Sequence, residues 1–238
     1  MPAAANHSPA HVNGVAVFDH GQRRSRVAES LLADIFQGRL AAGEHLVIND
    51  LAERFDVSPT PVREALLTLE GVGIVEFAPN RGAIVRRVTK SDVKDVCQVR
   101  RALECEATRS ACGRIDLAEL NELADAFRRM MTSKRRGKAF VDNARRLDSR
   151  LHDLIAESCG NRFLAKEIGR LKLLFRTFRD VAWEHNQANK EQLRFVEEAR
   201  EHLAIVGPLL AGDGKAAAAA MSRHIRAGLK YWSRAVPP

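Results

Sequence analysis

Two kinds of hydrophobic pattern divide the chain. Up to Val88, short helical stripes are followed by two β-prone runs, whereas from Ser91 onward only helical periodicity remains. The first stripe, over residues 26–36, repeats apolar side chains at helical spacing and ends at Gly38. We therefore predict a mainly α-helical protein with two parts of different architecture.

The first part has the order helix, helix, turn, helix, hairpin. A short helix is predicted over residues 49–55, and Ser58 is the expected N-cap of the next helix. Pro59 suits the first helical position because first-turn N–H groups have no intrahelical partner. Two β-prone runs, residues 74–77 and 83–88, flank a turn and predict a hairpin. This order is typical of a winged helix-turn-helix.

The second part contains six predicted helices joined by short connections, which favour an antiparallel bundle. They cover residues 92–112, 117–133, 142–158, 163–181, 191–210 and 214–232. The predicted domain boundaries are a disordered tail over residues 1–21, the winged helix-turn-helix over residues 22–88 and an all-helical domain over residues 89–238.

Composition adds two constraints. The net charge of +8 suggests a nucleic-acid partner, but residues 22–88 contain as many acidic as basic residues. DNA binding must therefore depend on where the cations lie.

No apolar run approaches the roughly 20 residues that span a bilayer. The start of the chain lacks the basic and apolar regions of a secretory signal, and the four cysteines show no CxxC spacing. We expect a cytoplasmic protein with reduced cysteines and no membrane partner.

Candidate DNA contacts lie at the start of the recognition helix and at the tip of the wing. The N-terminal end of such a helix enters the major groove, where Arg63 is placed to donate two hydrogen bonds to a guanine. A solvated Arg63 paired with a neighbouring carboxylate is the alternative. The predicted set is Ser58, Thr60, Arg63, Asn80, Arg81 and Gly82.

Several candidate metal ligands occur in the helical part. Asp148 and His152 are spaced i, i+4 and share one helix face. His202 and His224 could join them to offer one oxygen and three imidazole nitrogens, a set suited to zinc, nickel, manganese or iron. The spacing alone is equally compatible with scattered surface histidines, because His202 and His224 are distant in sequence.

The N-terminal part resembles the GntR family of transcriptional regulators. The resemblance lies in residues 50–66 (DLAERFDVSPTPVREAL), in Gly73 and in residues 80–83 (NRGA). It implies a regulator, not an enzyme, that binds double-stranded operator DNA as a homodimer. Pro59 departs from the family, which usually has an arginine there, and this departure predicts a shifted operator preference.

The helical part is similar to the FCD domain of FadR-type GntR regulators. The matching residues include residues 99–104 (VRRALE), Asp148, His152, His202 and the segment from Gly212 to His224. In that family an Asp and three His at these positions hold a divalent metal. The resemblance therefore implies that Asp148, His152, His202 and His224 are metal ligands, with zinc as the expected ion.

These observations predict a repressor whose operator binding is controlled by a small carboxylate or sugar acid bound beside the metal. Arg100 and Arg101 are the candidate effector contacts, and Glu104 is expected to pair with one of them. Two alternatives stay open. The metal itself could be the signal, or the same four ligands could serve a metalloenzyme, although no hydrolase motif accompanies them.

Overall fold

A computed structural model describes residues 14–78, 82–134, 137–188 and 194–235. Its first part contains three helices and a small sheet, and its second part contains six helices. In chain order the elements are α1 (Gly14–Phe36), β1 (His45–Leu46), α2 (Ile48–Arg54), α3 (Pro59–Gly71), β2 (Val75–Ala78), β3 (Gly82–Val85), α4 (Lys90–Ala111), α5 (Leu117–Thr132), α6 (Lys138–Ser158), α7 (Arg162–Ala188), α8 (Arg194–Leu210) and α9 (Gly214–Ala235).

The first part is the winged helix-turn-helix that the pattern predicts. The core between α1 and α3 is made of leucines and a valine without solvent exposure: Leu31, Leu32, Val62, Leu66 and Leu69. Helix α3 begins as expected, with Ser58 as N-cap and Pro59 in the first turn. Beneath the surface, Asp34 of α1 accepts hydrogen bonds from Arg39 and, at 2.5 Å, from Arg54 of α2, which ties these two helices together.

The sheet contains one strand more than the predicted hairpin. Strands β2 and β3 pair antiparallel with Val75 opposite Val85, and β1 pairs along the other edge of β3 with Leu46 opposite Ala83. The sequence pattern predicts no strand at His45 and Leu46. A two-residue strand is too short for a periodic signal, and only its pairing with β3 and the burial of Leu46 reveal it.

Helix α1 begins before the predicted stripe. It starts at Gly14, so that the predicted disordered tail over residues 1–21 is wrong for residues 14–21; residues 1–13 lie outside the described residues. No proline interrupts the chain between Gly14 and Phe36. Nothing therefore prevents the helix from continuing backward beyond its apolar stripe.

The six predicted helices of the second part correspond to α4 to α9. Helix α4 packs on α9, α9 on α8 and α8 on α5, and α6 and α7 complete the bundle. A capping box starts α4, because Thr89 N–H donates to Asp92 and Asp92 N–H donates to the Thr89 hydroxyl. Helix α7 continues to Ala188, past the predicted end at residue 181, and residues 189–193 are outside the described ranges.

Candidate functional site

The start of helix α3 presents polar groups to solvent. Ser58, Thr60 and Arg63 are all exposed, and the Ser58 hydroxyl makes no capping hydrogen bond. In the described part of the chain no carboxylate is paired with Arg63, so that the alternative of a carboxylate-paired arginine has no support there. These three side chains are free to contact phosphates and base edges.

The wing is described only in part. The predicted contacts Asn80 and Arg81 lie outside the described residues. Gly82 has a φ of 76°, and a Cβ on it would lie 2.6 Å from the Leu46 carbonyl oxygen. The close approach of β1 therefore requires a glycine here, whatever its role at DNA. Arg86 donates to the Gly73 carbonyl oxygen at 2.5 Å and is thereby held against its own domain.

The four predicted metal ligands come together although they lie on three helices. Asp148 and His152 are on α6, His202 is on α8 and His224 is on α9, and one ligand atom from each lies within 4.8 Å of the others. Asp148 Oδ1 is 3.3 Å from His202 Nε2 and 3.8 Å from His152 Nε2. One carboxylate oxygen and three imidazoles around one point form a set that could hold a divalent ion.

Two of the histidines are oriented by buried or half-buried carboxylates. His152 Nδ1 lies 2.6 Å from Glu104 Oε2, and His224 Nδ1 lies 2.8 Å from Glu201 Oε2. A hydrogen bond to a carboxylate at Nδ1 places the proton there and leaves Nε2 unprotonated, as in the carboxylate–histidine–metal arrangements of proteins. In His152 this Nε2 lies 3.3 Å from Arg100 Nη2. The carboxylates thus select the tautomer that a metal requires.

Arginines hold these carboxylates in the charged state. Burial alone would raise the pKa of Glu104, but Arg100 and His152 lower it to about 2. Arg100 Nε donates to Glu104 at 2.7 Å, which confirms the expected pairing of Glu104 with one of the two candidate arginines. Burial also opposes ionisation of Glu201, but hydrogen bonds from His224 and Arg194 lower its pKa to about 2.

Two of the histidines, His202 and His224, are held in the neutral state that metal binding needs. Burial lowers the pKa of His224 to about 3, against the effect of Glu201. Burial likewise lowers the pKa of His202. Burial disfavours the charged form of Asp148, but the neighbouring Arg179 outweighs it and holds the pKa of that carboxyl well below its usual range. Arg179 donates to Asp148 Oδ2, so that Oδ1 is the oxygen that faces the histidines.

One buried atom of the cluster is unsatisfied within the described residues. His202 is 2% exposed, and its Nε2 makes no hydrogen bond to any described group, although Asp148 Oδ1 is 3.3 Å away. Buried polar atoms without a partner are uncommon and call for an explanation. A metal ion in contact with Nε2 would supply the missing partner, so that the residues present fit such an ion.

A small cavity opens beside the four residues. Its volume is about 40 Å³, and its lining includes His152, His224, Arg100 and several cationic side chains of α7. The Arg100 guanidinium carbon lies 5.2 Å from the ring centre of Phe175 and 5.1 Å from that of Trp232. Arg100 is therefore held at the cavity wall by stacking as well as by Glu104. Arg101, the other predicted effector contact, is exposed and is not brought to this cavity.

Several other residues of this site are not indicated by any pattern in the sequence. Arg179 gives no local signal, because its partner Asp148 is on a different helix. The same holds for the stacking rings of Phe175 and Trp232. Glu201 carried only a weak signal as the neighbour of His202, and its role depends on the approach of His224 from α9.

Matches to known families cover both parts of the chain. Residues 95–227, more than half of the chain, match the FCD domain family, and residues 23–85 match the family of bacterial regulatory proteins named gntR. Within the described residues, no helix combines the length and apolar character needed to cross a bilayer.

Curated relatives and solved structures agree with these matches. The chain is 29% identical over 205 residues to the uncharacterized HTH-type transcriptional regulator BphR of Paraburkholderia xenovorans (strain LB400), covering 84% of this chain and 81% of that protein. It is 27% identical over 196 residues to the HTH-type transcriptional repressor RspR of Escherichia coli (strain K12), covering 82% of each. The structure of E. coli McbR/YncC shares the fold, with a TM-score of 0.65 and 20% identity over 89% of this chain and 97% of that one.

Proposed function

Because the chain belongs to the FCD-domain regulators of the gntR family, which are DNA-binding transcriptional regulators rather than enzymes, we propose that it is a repressor controlled by a small organic acid. The effector, a carboxylate or sugar acid, binds beside a divalent metal ion in the helical domain. The proposal that the helical domain senses an effector depends on one observation. Four side chains from three helices come together there: Asp148, His152, His202 and His224.

The DNA-binding half is supported by the exposed start of α3. Ser58 and Thr60 have hydroxyls suited to phosphate oxygens, and Arg63 has a guanidinium suited to guanine. A homodimer with two such helices would read a palindromic operator, because two-fold symmetric proteins contact two equivalent half-sites. The repressor activity of a relative supports the direction of control.

The metal-binding half is supported by the protonation and orientation of the ligands. Glu104 and Glu201 fix two imidazoles with Nε2 unprotonated, and His202 Nε2 has no hydrogen-bond partner among the described residues. A bound divalent ion with open positions supplies a Lewis-acidic centre for a carboxylate oxygen. Zinc is the first ion to test, and nickel, manganese and iron suit the same ligands.

Arg100 is the proposed anchor for the acid. It is buried, it is held by Glu104, and it lines the cavity beside the four ligands. Its stacking between two rings fixes the guanidinium plane and reduces the entropy lost when it binds a carboxylate. The cavity of about 40 Å³ is far smaller than the roughly 300–1,000 Å³ that is usual for small-molecule sites, so that an organic acid requires movement of its walls.

Substitution of Arg63 tests the DNA-binding half. We expect Arg63→Ala to weaken operator binding by about 1–3 kcal/mol, or about 5- to 150-fold, without loss of the fold. Affinity would be measured by gel shift on duplex DNA that the wild-type protein selects from a random library. Arg128→Ala, which removes an exposed arginine from α5, is the matched control. Equal affinities of the two variants would argue against this role of Arg63.

A second candidate, in which the metal itself is the signal, is favoured by the small size of the cavity. The two candidates differ in what changes operator binding. Chelator-treated protein would be titrated with zinc alone, and zinc-loaded protein would then be titrated with mono- and dicarboxylic acids. Release of DNA by zinc alone, with no added effect of any acid, would establish the metal as the signal and reject the acid.

A further inference from the structure

A second and larger cavity lies between the two parts of the molecule. Its volume is about 590 Å³, within the range of roughly 300–1,000 Å³ that is usual for small-molecule sites. Glu29 and Ala33 of helix α1 form one wall together with Gln37, which follows α1, and helices α6 and α7 form the others. We call it the interdomain cavity. It adjoins the cavity beside the four candidate metal ligands, with which it shares Ser149, Asp153, Arg176 and Arg179, and differs from it in reaching α1.

Five arginines line the interdomain cavity, against three carboxylates. The arginines are Arg145, Arg146, Arg150, Arg176 and Arg179, and the carboxylates are Glu29, Asp153 and Asp180.

Two of these carboxylates are each paired with two cationic side chains. Asp180 Oδ1 lies 2.9 Å from Arg179 Nε and 3.4 Å from Arg145 Nε. Asp153 is contacted by Lys172 at 2.6 Å and by Arg176 at 3.0 Å. Arg179 and Arg145 have further carboxylate partners in Asp148 and Asp142. Arg150 contacts Glu119 and Glu157, so that four of the five arginines are paired with carboxylates.

Arg146 differs from the other four arginines of the wall. It donates to the side-chain oxygen of Asn143 at 2.8 Å, and within the described ranges no carboxylate is paired with it. A neutral amide satisfies one N–H group but leaves the positive charge uncompensated. Its guanidinium, on an exposed position of α6, can turn to an anion in the interdomain cavity at little cost.

We propose that the interdomain cavity binds a small phosphate ester. Guanidinium groups match the oxygens of a phosphate through paired hydrogen bonds, and a dianion requires more than one of them. The wall offers such groups from two helices, with Arg145, Arg146 and Arg150 on α6 and Arg176 and Arg179 on α7. The Ser149 hydroxyl and the Gln37 amide add neutral polar groups to the same wall.

Because of the position of the interdomain cavity, a ligand bound there can change the affinity of the protein for DNA. A molecule that contacts α1 on one side and α6 and α7 on the other stabilises the domain arrangement in which those walls face each other. If that arrangement differs in operator affinity from others, ligand and DNA affect each other's affinity by the same factor. The site would thus be a second input, separate from the proposed acid-binding site.

Calorimetric titration of the full-length protein with glycerol 3-phosphate tests the assignment. We expect saturable binding that Arg146→Gln weakens at least tenfold, while Arg223→Gln, an equal charge change on the exposed face of α9, leaves it unchanged. His224→Ala, which removes a proposed metal ligand, should also leave this binding unchanged. Glycerol, the neutral analogue, should not bind.

Three results would overturn the proposal. Absence of saturable binding would reject the site. Binding that is lost in His224→Ala and retained in Arg146→Gln would place the phosphate at the metal ligands instead. Tighter binding of succinate than of glycerol 3-phosphate would reject the phosphate ester as the ligand class. None of these results bears on the Arg63 or zinc tests, so that the two proposals fail independently.

Discussion

Glu104 links Arg100, the proposed effector anchor, to His152, a proposed metal ligand, through one carboxylate. It receives Arg100 on one oxygen at 2.7 Å, and its other oxygen lies 2.6 Å from His152 Nδ1. Its side chain is 5% exposed, so that its charge has little access to water. A buried ion pair of this kind is costly to break, because loss of one partner leaves the other charged and uncompensated.

We expect Glu104→Gln to have two effects. Unfolding free energy should fall by about 3 kcal/mol, because the buried Arg100 loses its counter-charge. Zinc affinity should fall about 10- to 100-fold, because a neutral amide holds the His152 tautomer less firmly than a carboxylate does. Denaturant titration and competition with a chromogenic chelator measure the two quantities.

Glu106→Gln is the matched control for Glu104. It makes the same change on the same helix at an exposed position, where Glu106 contacts only Arg109 and Ser110 among the described residues. Its effect on stability should stay within about 0.5 kcal/mol. If both variants lose the same zinc affinity, the proposed role of Glu104 in orienting His152 is wrong.

At the scale of elements, α7 connects the proposed sensing site to helix α3. Phe175, Arg176 and Arg179 line the inner cavity, and two turns earlier Arg170 Nη1 donates to the Gly71 carbonyl oxygen at 2.7 Å. Gly71 is the last residue of α3. A cation at this end satisfies a carbonyl that has no intrahelical partner and interacts favourably with the helix dipole.

Arg170→Ala should therefore loosen the end of α3. Loss of about 1 kcal/mol of hydrogen bonding corresponds to roughly fivefold faster amide exchange. The effect is expected at Gly73 and Ile74, whose N–H groups donate to the last turn of α3. Hydrogen-exchange mass spectrometry would measure it, with Lys166→Ala, an exposed cation one turn earlier on α7, as control. Equal exchange in both variants would rule out this contact as a clamp on α3.

Elements with a repeating local pattern could be predicted from the sequence. The stripes of α3 and of the six bundle helices are periodic over several turns, and Pro59 marks the start of α3 from sequence alone. Strand β1 could not be predicted, because its two residues are defined by pairing with β3. The start of α1 at Gly14 also escaped prediction, because an apolar stripe records burial and not the full extent of a helix.

The candidate site, too, could be predicted from the sequence only where its residues are close together along the chain. The i, i+4 spacing of Asp148 and His152 is a local fact, readable without a fold. The approach of His202 and His224 depends on how α8 and α9 pack against α6, so that only the family resemblance could predict it. Arg179 was missed entirely. Its pairing with Asp148 crosses between helices, and one arginine among many gives no pattern.

At the scale of the whole molecule, a metal at this site would be a cross-link between distant parts of the chain. The ligands come from α6, α8 and α9. In the unfolded chain these residues are far apart and do not form a site. Binding to the folded state alone stabilises it by mass action, and the gain grows with the ratio of free metal to its dissociation constant.

We therefore expect zinc to raise the melting temperature of the chelator-treated protein. At a free zinc concentration about 1,000-fold above the dissociation constant, the gain is about 4 kcal/mol, or roughly 8–16 °C for a chain of this size. His224→Ala should abolish the shift, because it removes the α9 ligand, whereas His45→Ala in β1 should retain it in full. A shift of equal size in both variants would mean that zinc binds elsewhere, and no shift in the wild type would reject the metal site itself.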